Sequence, residues 1–371
     1  MLMQPYNAVL QRLESKGRLR SLKVPRGTDF SSNDYLALAG SEYLRNTACE
    51  ALVRGVPVGS GGSRLLRGNH PEHEALEAEA AAFFKASQVL YFASGFDANQ
   101  AVFATLPQAG DLVLYDALIH ASIHAGMQAG KAKTQSVPHN DIAAYEAAIR
   151  QFRTTEKSGN IWLAVESLYS MDGDRAPLAE LSALADRYGC FFYIDEAHAT
   201  GVFGADGRGL AADFAGRDNV LILHTCGKAL GASGALLCAA KPLIDVLVNR
   251  ARGFIFSTAP SPLQAAIVRG SLKTLAAEPQ RREKLQALIR HAEQNLQPSG
   301  SQIIPFTVGD NQRAVAMAEA MQNHGFDIRA IRPPTVPLGT ARLRISITLN
   351  IDEAQISRMA EVLKQIANSY E

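Results

Sequence analysis

Cysteine is sparse. The 371 residues hold four, Cys49, Cys190, Cys226 and Cys238, far apart and never as C-x-x-C. That spacing argues against a zinc ribbon or a secreted disulfide framework, and sets the expectation of a reducing, cytoplasmic setting. No run of about 18 uncharged apolar residues occurs, so no membrane span is expected. The start, Met1-Leu2-Met3-Gln4-Pro5-Tyr6, lacks the basic-then-apolar pattern of an export signal. A net charge of +1 leaves no field to attract nucleic acid or an anionic membrane. Asp195-Glu196-Ala197-His198 spells the acidic box of a helicase ATPase, but no G-x-x-x-x-G-K-[ST] phosphate loop accompanies it. Gly59-Ser60-Gly61-Gly62-Ser63-Arg64 breaks the dinucleotide fingerprint at Arg64, and Ser94-Gly95 lacks the frame of a hydrolase elbow. His73-Glu74-Ala75-Leu76-Glu77 lacks a zincin's second histidine, which leaves His70 and His73 a surface or structural role.

What is present is a chain able to bury a large core, 47% hydrophobic and 20% charged. Residues 4 to about 20 read as an amphipathic helix, and another starts after His70-Pro71. Apolar runs at 88–93, 111–115, 161–165, 190–194, 220–223 and 234–239 read as buried strands. Helical patterns fall near 97–106, 141–153 and 178–188. This alternation predicts an α/β fold with a large, doubly wound, mainly parallel sheet. Later come helices near 280–297 and 311–324, strands near 326–331 and 341–347, and a helix from about 352. The expected division is an N-terminal helix and connector over 1–45, a large domain over 46–275, and a smaller C-terminal α+β domain over 276–371.

Two residues carry the chemistry. Lys228 follows the apolar run Asn219-Val220-Leu221-Ile222-Leu223 and sits between Gly227 and Gly231. Asp195 ends the run Cys190 to Ile194. Both lie at the C-terminal ends of strands, where open α/β sheets bind ligands. An amine facing a buried acid suits pyridoxal 5'-phosphate (PLP): the lysine condenses with the aldehyde, and the acid keeps the ring nitrogen protonated. His198 is placed either to hydrogen-bond the same ring or to shape the turn. Around Gly95 and Phe96 a strand gives way to a helix start, whose free N–H groups suit a phosphate, and Thr225 offers a hydroxyl. His120 follows another strand end and either stacks on a ring or fills a structural place. Arg342 and Arg344 share one strand face, which the pattern leaves open to a cleft as a clamp for a carboxylate.

These segments together resemble the α-oxoamine synthases, PLP enzymes that condense an amino acid with an acyl thioester and release carbon dioxide. The resemblance runs from Asn33-Asp34-Tyr35-Leu36 through Ser170-Met171-Asp172-Gly173-Asp174 and Thr225-Cys226-Gly227-Lys228 to Arg344. Ile331-Arg332-Pro333-Pro334-Thr335 and Gly339-Thr340-Ala341-Arg342-Leu343-Arg344 are most similar to the biotin-forming branch, which uses L-alanine and a pimeloyl thioester on coenzyme A or acyl carrier protein. Glycine-using branches need the same lysine, acid and arginine. The resemblance implies a fold-type-I PLP-dependent transferase acting as a cytoplasmic homodimer. Lys228 would carry the cofactor, Asp195 would face the ring nitrogen, His198 the ring hydroxyl, and His120 would stack on the ring. It further implies Gly95, Phe96 and Thr225 at the phosphate, Ser170 lining the site, and Ser257 or Thr258 reaching a neighbouring subunit's phosphate. Asn33 and Arg344 would hold the amino-acid carboxylate, and Arg20 and Thr335 the acyl substrate. Neither a metal nor nucleic acid is implied.

Overall fold

The computed structural model describes residues 2–156 and 158–370. The chain forms two compact units. The larger comprises Leu36–Ser170 and Arg175–Arg282, the smaller Met1–Tyr35, Met171–Asp174 and Glu283–Glu371.

The larger unit is built on a seven-stranded sheet. Its order is Gln88–Phe92, Ala235–Ala239, Val220–Thr225, Phe191–Asp195, Ile161–Glu166, Leu112–Asp116, Lys133–Val137. Ala235–Ala239 runs antiparallel to both neighbours, and the other pairings are parallel. Strands covered on both faces read as near-continuous apolar runs: every residue of Ile161–Glu166 and of Ala235–Ala239 is buried, and only Glu166 among them is charged. Burying each large aliphatic or aromatic side chain is worth about 1.5–3 kcal/mol, so these strands anchor the unit. Lys133–Val137 escapes the apolar pattern because it is an edge strand with only Val137 buried. Its polar face suits an edge, which must not recruit further strands.

Four adjacent parallel strands end on polar residues at one edge of the sheet: Asp116, Glu166, Asp195 and Thr225. Helix Gly95–Thr105 starts after Phe92, with the Ser94 hydroxyl accepting from the Asp97 N–H at 3.1 Å. Helix Pro71–Phe84 is capped by two histidines. His70 Nδ1 accepts from the Glu72 N–H at 3.1 Å, and His73 Nδ1 from the His70 N–H at 3.2 Å. The pair is therefore structural.

In the smaller unit, Arg329–Ile331, Ala341–Ser346 and Ile303–Gly309 form an antiparallel sheet in that order. Helices Asn311–Asn323 and Glu353–Asn368 belong to the same unit. Ile303–Gly309 carries Pro305 and only two buried residues, so no apolar run marks it. The N-terminal helix spans Gln4–Ser15 with none of its residues buried, and the chain turns at Gly17, whose φ of +61° suits glycine. Thr28–Asp29 then pairs in parallel with Phe326–Asp327, and the Ser346 N–H donates to Phe30 O at 2.8 Å. Those bonds place residues 1–35 in one unit with 283–371, where the sequence pattern suggests a separate N-terminal segment.

Candidate active site

Lys228 is held in a tight turn. The Gly231 N–H donates to Lys228 O at 2.9 Å, and the Ala232 N–H to Cys226 O at 2.9 Å. Gly231 has a φ of +62°, and a Cβ there would stand 2.4 Å from the Ala39 nitrogen. Only glycine lets this loop settle against Leu38 and Ala39. Lys228 Nζ lies 2.7 Å from His198 Nε2, so the two strand-end loops meet through these side chains.

Asp195 is 4% exposed, with each carboxylate oxygen receiving a hydrogen bond. The Ala197 N–H donates to Oδ1 at 2.9 Å and Asn99 Nδ2 to Oδ2 at 2.8 Å. Both donors are neutral, so a cationic ring nitrogen would bring opposite charge to a carboxylate already desolvated. Glu166 pairs in register with Asp195 on the adjacent strand. Burial pushes the Glu166 carboxyl up to about 8, the Asp195 charge adds to the effect, and Lys228 opposes it. The Ser170 N–H donates to Glu166 Oε2 at 3.2 Å, while Oε1 is buried without a partner. Burial thus favours the protonated form of Glu166.

At Gly95 a Cβ would stand 2.6 Å from Thr225 Cγ2, so the helix start packs against the end of the Lys228 strand only as glycine. Thr225 Oγ1 lies 3.4 Å from Ala197 O. Phe96 is 47% exposed beside this turn. His120 caps helix Ala121–Ala129, with its Nδ1 2.7 Å from Ser122 Oγ, and is an exposed residue. Ser257 and Thr258 are exposed on the segment before Pro262–Ala277. Three features of this unit fit PLP: an amine on a fixed turn, a buried acid with neutral partners, and a glycine-only cradle at a helix start.

In the smaller unit, Arg344 is 6% exposed. It donates to Asn33 Oδ1 at 3.0 Å, Ser346 Oγ at 2.8 Å and the Tyr35 hydroxyl at 3.4 Å. Arg342 is also buried and is bound by the Asp172 carboxylate. The open face expected for the two arginines is thus covered, and they are not equivalent. Arg20 Nη2 donates to Thr335 Oγ1 at 3.2 Å, and Arg332 stands near enough for Arg20 to lower its pKa, with burial the larger cause.

Sequence reasoning passed over Asn99, Ser122, Glu166 and Tyr193. Asn99 stands between Asp97 and Gln100 in a helical pattern that carries no sign of its burial. The DEAH spelling has a different basis from an ATPase box. Glu196 is fully buried and accepts the N–H groups of Leu210 and Ala211 at 3.0 and 2.7 Å.

The family described as aminotransferase class I and II matches residues 25–363. An 8-amino-7-oxononanoate synthase from Chromobacterium violaceum is 38% identical, with 100% of both chains covered. Among solved structures, a serine palmitoyltransferase from S. paucimobilis with PLP and myriocin bound superposes with a TM-score of 0.89 at 25% identity, covering 99% of this chain and 98% of that one. An 8-amino-7-oxononanoate synthase from Francisella tularensis superposes with a TM-score of 0.77 at 25% identity, covering 93% and 99%. Among the described residues, no helix is long and apolar enough to cross a membrane. With its strand-end lysine and acid, this chain belongs to the aminotransferase class I and II family and, within it, to the 8-amino-7-oxononanoate synthases.

Proposed function

We propose that this protein condenses L-alanine with a pimeloyl thioester to form 8-amino-7-oxononanoate in biotin biosynthesis. The observation that carries the reading is Lys228 Nζ at 2.7 Å from His198 Nε2, with buried Asp195 ending the strand next to the Lys228 strand. In the balance, alanine, thioester and one proton give the amino ketone, carbon dioxide and free thiol. The alanine α-carbon loses its proton and its carboxylate, and bonds to the acyl carbon as the carbon–sulfur bond breaks.

When bound, PLP takes up the electron pairs released at the α-carbon. Lys228 Nζ removes the α-proton and later returns one, so its amine must be free to move within the turn. His198 Nε2 supplies the neighbour that orients Lys228, and it faces the ring hydroxyl in this reading. With the cofactor bound, Asp195 would face its ring nitrogen. Gly95, Phe96 and Thr225 would hold the phosphate, His120 would cover the ring and Ser170 would line the pocket. In the smaller unit, Arg344 with Asn33 takes the α-carboxylate, because Arg344 is bonded to neutral groups while Arg342 already holds Asp172. Arg20 and Thr335 receive the acyl substrate, delivered on coenzyme A or acyl carrier protein.

The reading includes a cytoplasmic homodimer in which Ser257 or Thr258 reaches the partner subunit's phosphate. Support for association comes from exposed apolar side chains of the larger unit. Val53, Val58, Leu66 and Phe256 are 88, 67, 81 and 72% exposed. Leu66→Glu should shift the mass measured by light scattering toward a monomer, and an unchanged dimer would remove Leu66 from the interface.

A second reading, with serine as the amino acid, draws on the high TM-score to serine palmitoyltransferase. Thiol release separates the two. Alanine, glycine and serine are each paired with pimeloyl, acetyl, succinyl and palmitoyl thioesters. Preference for alanine with pimeloyl supports the proposal, and preference for any other pair refutes it.

A further inference from the structure

Asn99 lies in the second turn of helix Gly95–Thr105 and is 2% exposed. Its amide makes three bonds. Nδ2 donates to Asp195 Oδ2 at 2.8 Å and to Ser122 Oγ at 2.9 Å, while the Tyr193 hydroxyl donates to Oδ1 at 2.5 Å. The orientation is forced. Turned over, the amide would aim its oxygen at the Asp195 carboxylate, acceptor against acceptor.

The consequences run one step further. Ser122 Oγ accepts from Asn99, so its own hydrogen is left for His120 Nδ1 at 2.7 Å. The Ser122 N–H points to the same nitrogen at 3.3 Å. A nitrogen that receives both is an acceptor, and the neutral imidazole then carries its hydrogen on Nε2. Asp195 and His120 are thereby joined by one hydrogen-bonded chain, Asp195–Asn99–Ser122–His120, buried from Asp195 to Ser122 and reaching the surface at His120, with Tyr193 fixing its middle.

We propose that Asn99 is a positioning residue that orients the Asp195 carboxylate and, through Ser122, sets the tautomer of His120, so that the histidine presents an N–H and not a lone pair. This rests on the reading of Asp195 and His120 as the residues beneath and over PLP. A purely packing role for Asn99 would be satisfied by any side chain of its volume. The proposed role is not, because the group facing Asp195 must donate.

The experiment uses full-length wild type, Asn99→Ala, Asn99→Asp and Ser122→Ala. PLP dissociation constants come from equilibrium dialysis. The His120 tautomer comes from 15N-histidine NMR of the cofactor-free protein, with His120→Asn identifying the resonance among nine histidines. The wild type should bind PLP and show the Nε2–H form. Asn99→Asp keeps the shape but sets a carboxylate against Asp195, and should weaken PLP by about tenfold or more. Asn99→Ala should weaken PLP and also alter the His120 pattern. Ser122→Ala should alter the His120 pattern and leave the PLP constant within about twofold. PLP affinity unchanged in Asn99→Asp, or a His120 pattern unchanged in Ser122→Ala, overturns the proposal. Should Asn99→Ala fail to fold, the other two variants decide. A wild type that binds no PLP defeats the cofactor reading instead, while the NMR arm still tests the chain.

Discussion

Glu196→Ala should unstrap the segment after Gly209 without touching the lysine turn. The Glu196 carboxylate receives the backbone N–H groups of Leu210 and Ala211 and is fully buried. A Cβ on Gly209 would stand 1.9 Å from its Oε2, so no other side chain fits between them. Truncation leaves two N–H groups without acceptors, each costing about 1–3 kcal/mol, and we take about 4 kcal/mol for the pair. An opposing effect depends on pH. Burial lifts the Glu196 carboxyl from 4.5 to about 7, against the pull of its donors. The folded chain therefore holds an extra proton between those values, and the stability Glu196 contributes falls as pH rises through that window. The difference corresponds to about 3 kcal/mol. Truncation should thus cost about 3 kcal/mol at pH 5 and only about 1 kcal/mol at pH 8. Urea midpoints followed by the fluorescence of Trp162, the sole tryptophan and 2% exposed, read this directly. Equal midpoints for wild type and variant at pH 5 would refute the strap, and an equal loss at both pH values would refute the burial argument.

Three further outcomes are expected. Lys228→Ala should abolish the visible absorbance of the cofactor-loaded protein and lower turnover by about a thousandfold or more, and near-normal turnover would remove Lys228 from the chemistry. Arg344→Ala should raise KM for the amino acid by about tenfold to a hundredfold with PLP affinity unchanged, whereas Arg342→Ala should instead lower thermal stability by removing a buried guanidinium and its pairing with half-buried Asp172. His224 is stacked on Phe84 at 3.7 Å and burial pushes its imidazole down to about 3, so folded stability is complete above pH 6.5 and lost as pH falls toward 3. His224→Phe should flatten that acid limb in pH-resolved melts at a cost of about 1 kcal/mol for the lost bond to Thr200.

Much of the larger unit was legible because burial on both sheet faces writes itself as unbroken apolar runs. Lys228 and Asp195 stood out because each ends such a run, and a charged group there needs a reason. Lys133–Val137 was illegible for the opposite reason, since an edge strand needs no apolar face. The run read at 326–331 is in fact two strands, Phe326–Asp327 and Arg329–Ile331, that serve different sheets, a distinction that depends on partners far along the chain. Asn99 shows the limit most sharply. Its neighbours in sequence reveal only a helix, whereas its importance comes from Ser122, Asp195 and Tyr193, 23 to 96 residues away.

The two-residue parallel pairing of Thr28–Asp29 with Phe326–Asp327 has a consequence for biogenesis. Thr28–Asp29 must wait for nearly 300 further residues to be made before its partner strand exists. Residues 36–282 meanwhile contain their own sheet and can collapse as soon as they are made. The exposed helix Gln4–Ser15, with Tyr6, Val9, Leu10 and Leu13 uncovered, is then a tether left open during synthesis and a natural early target for a chaperone.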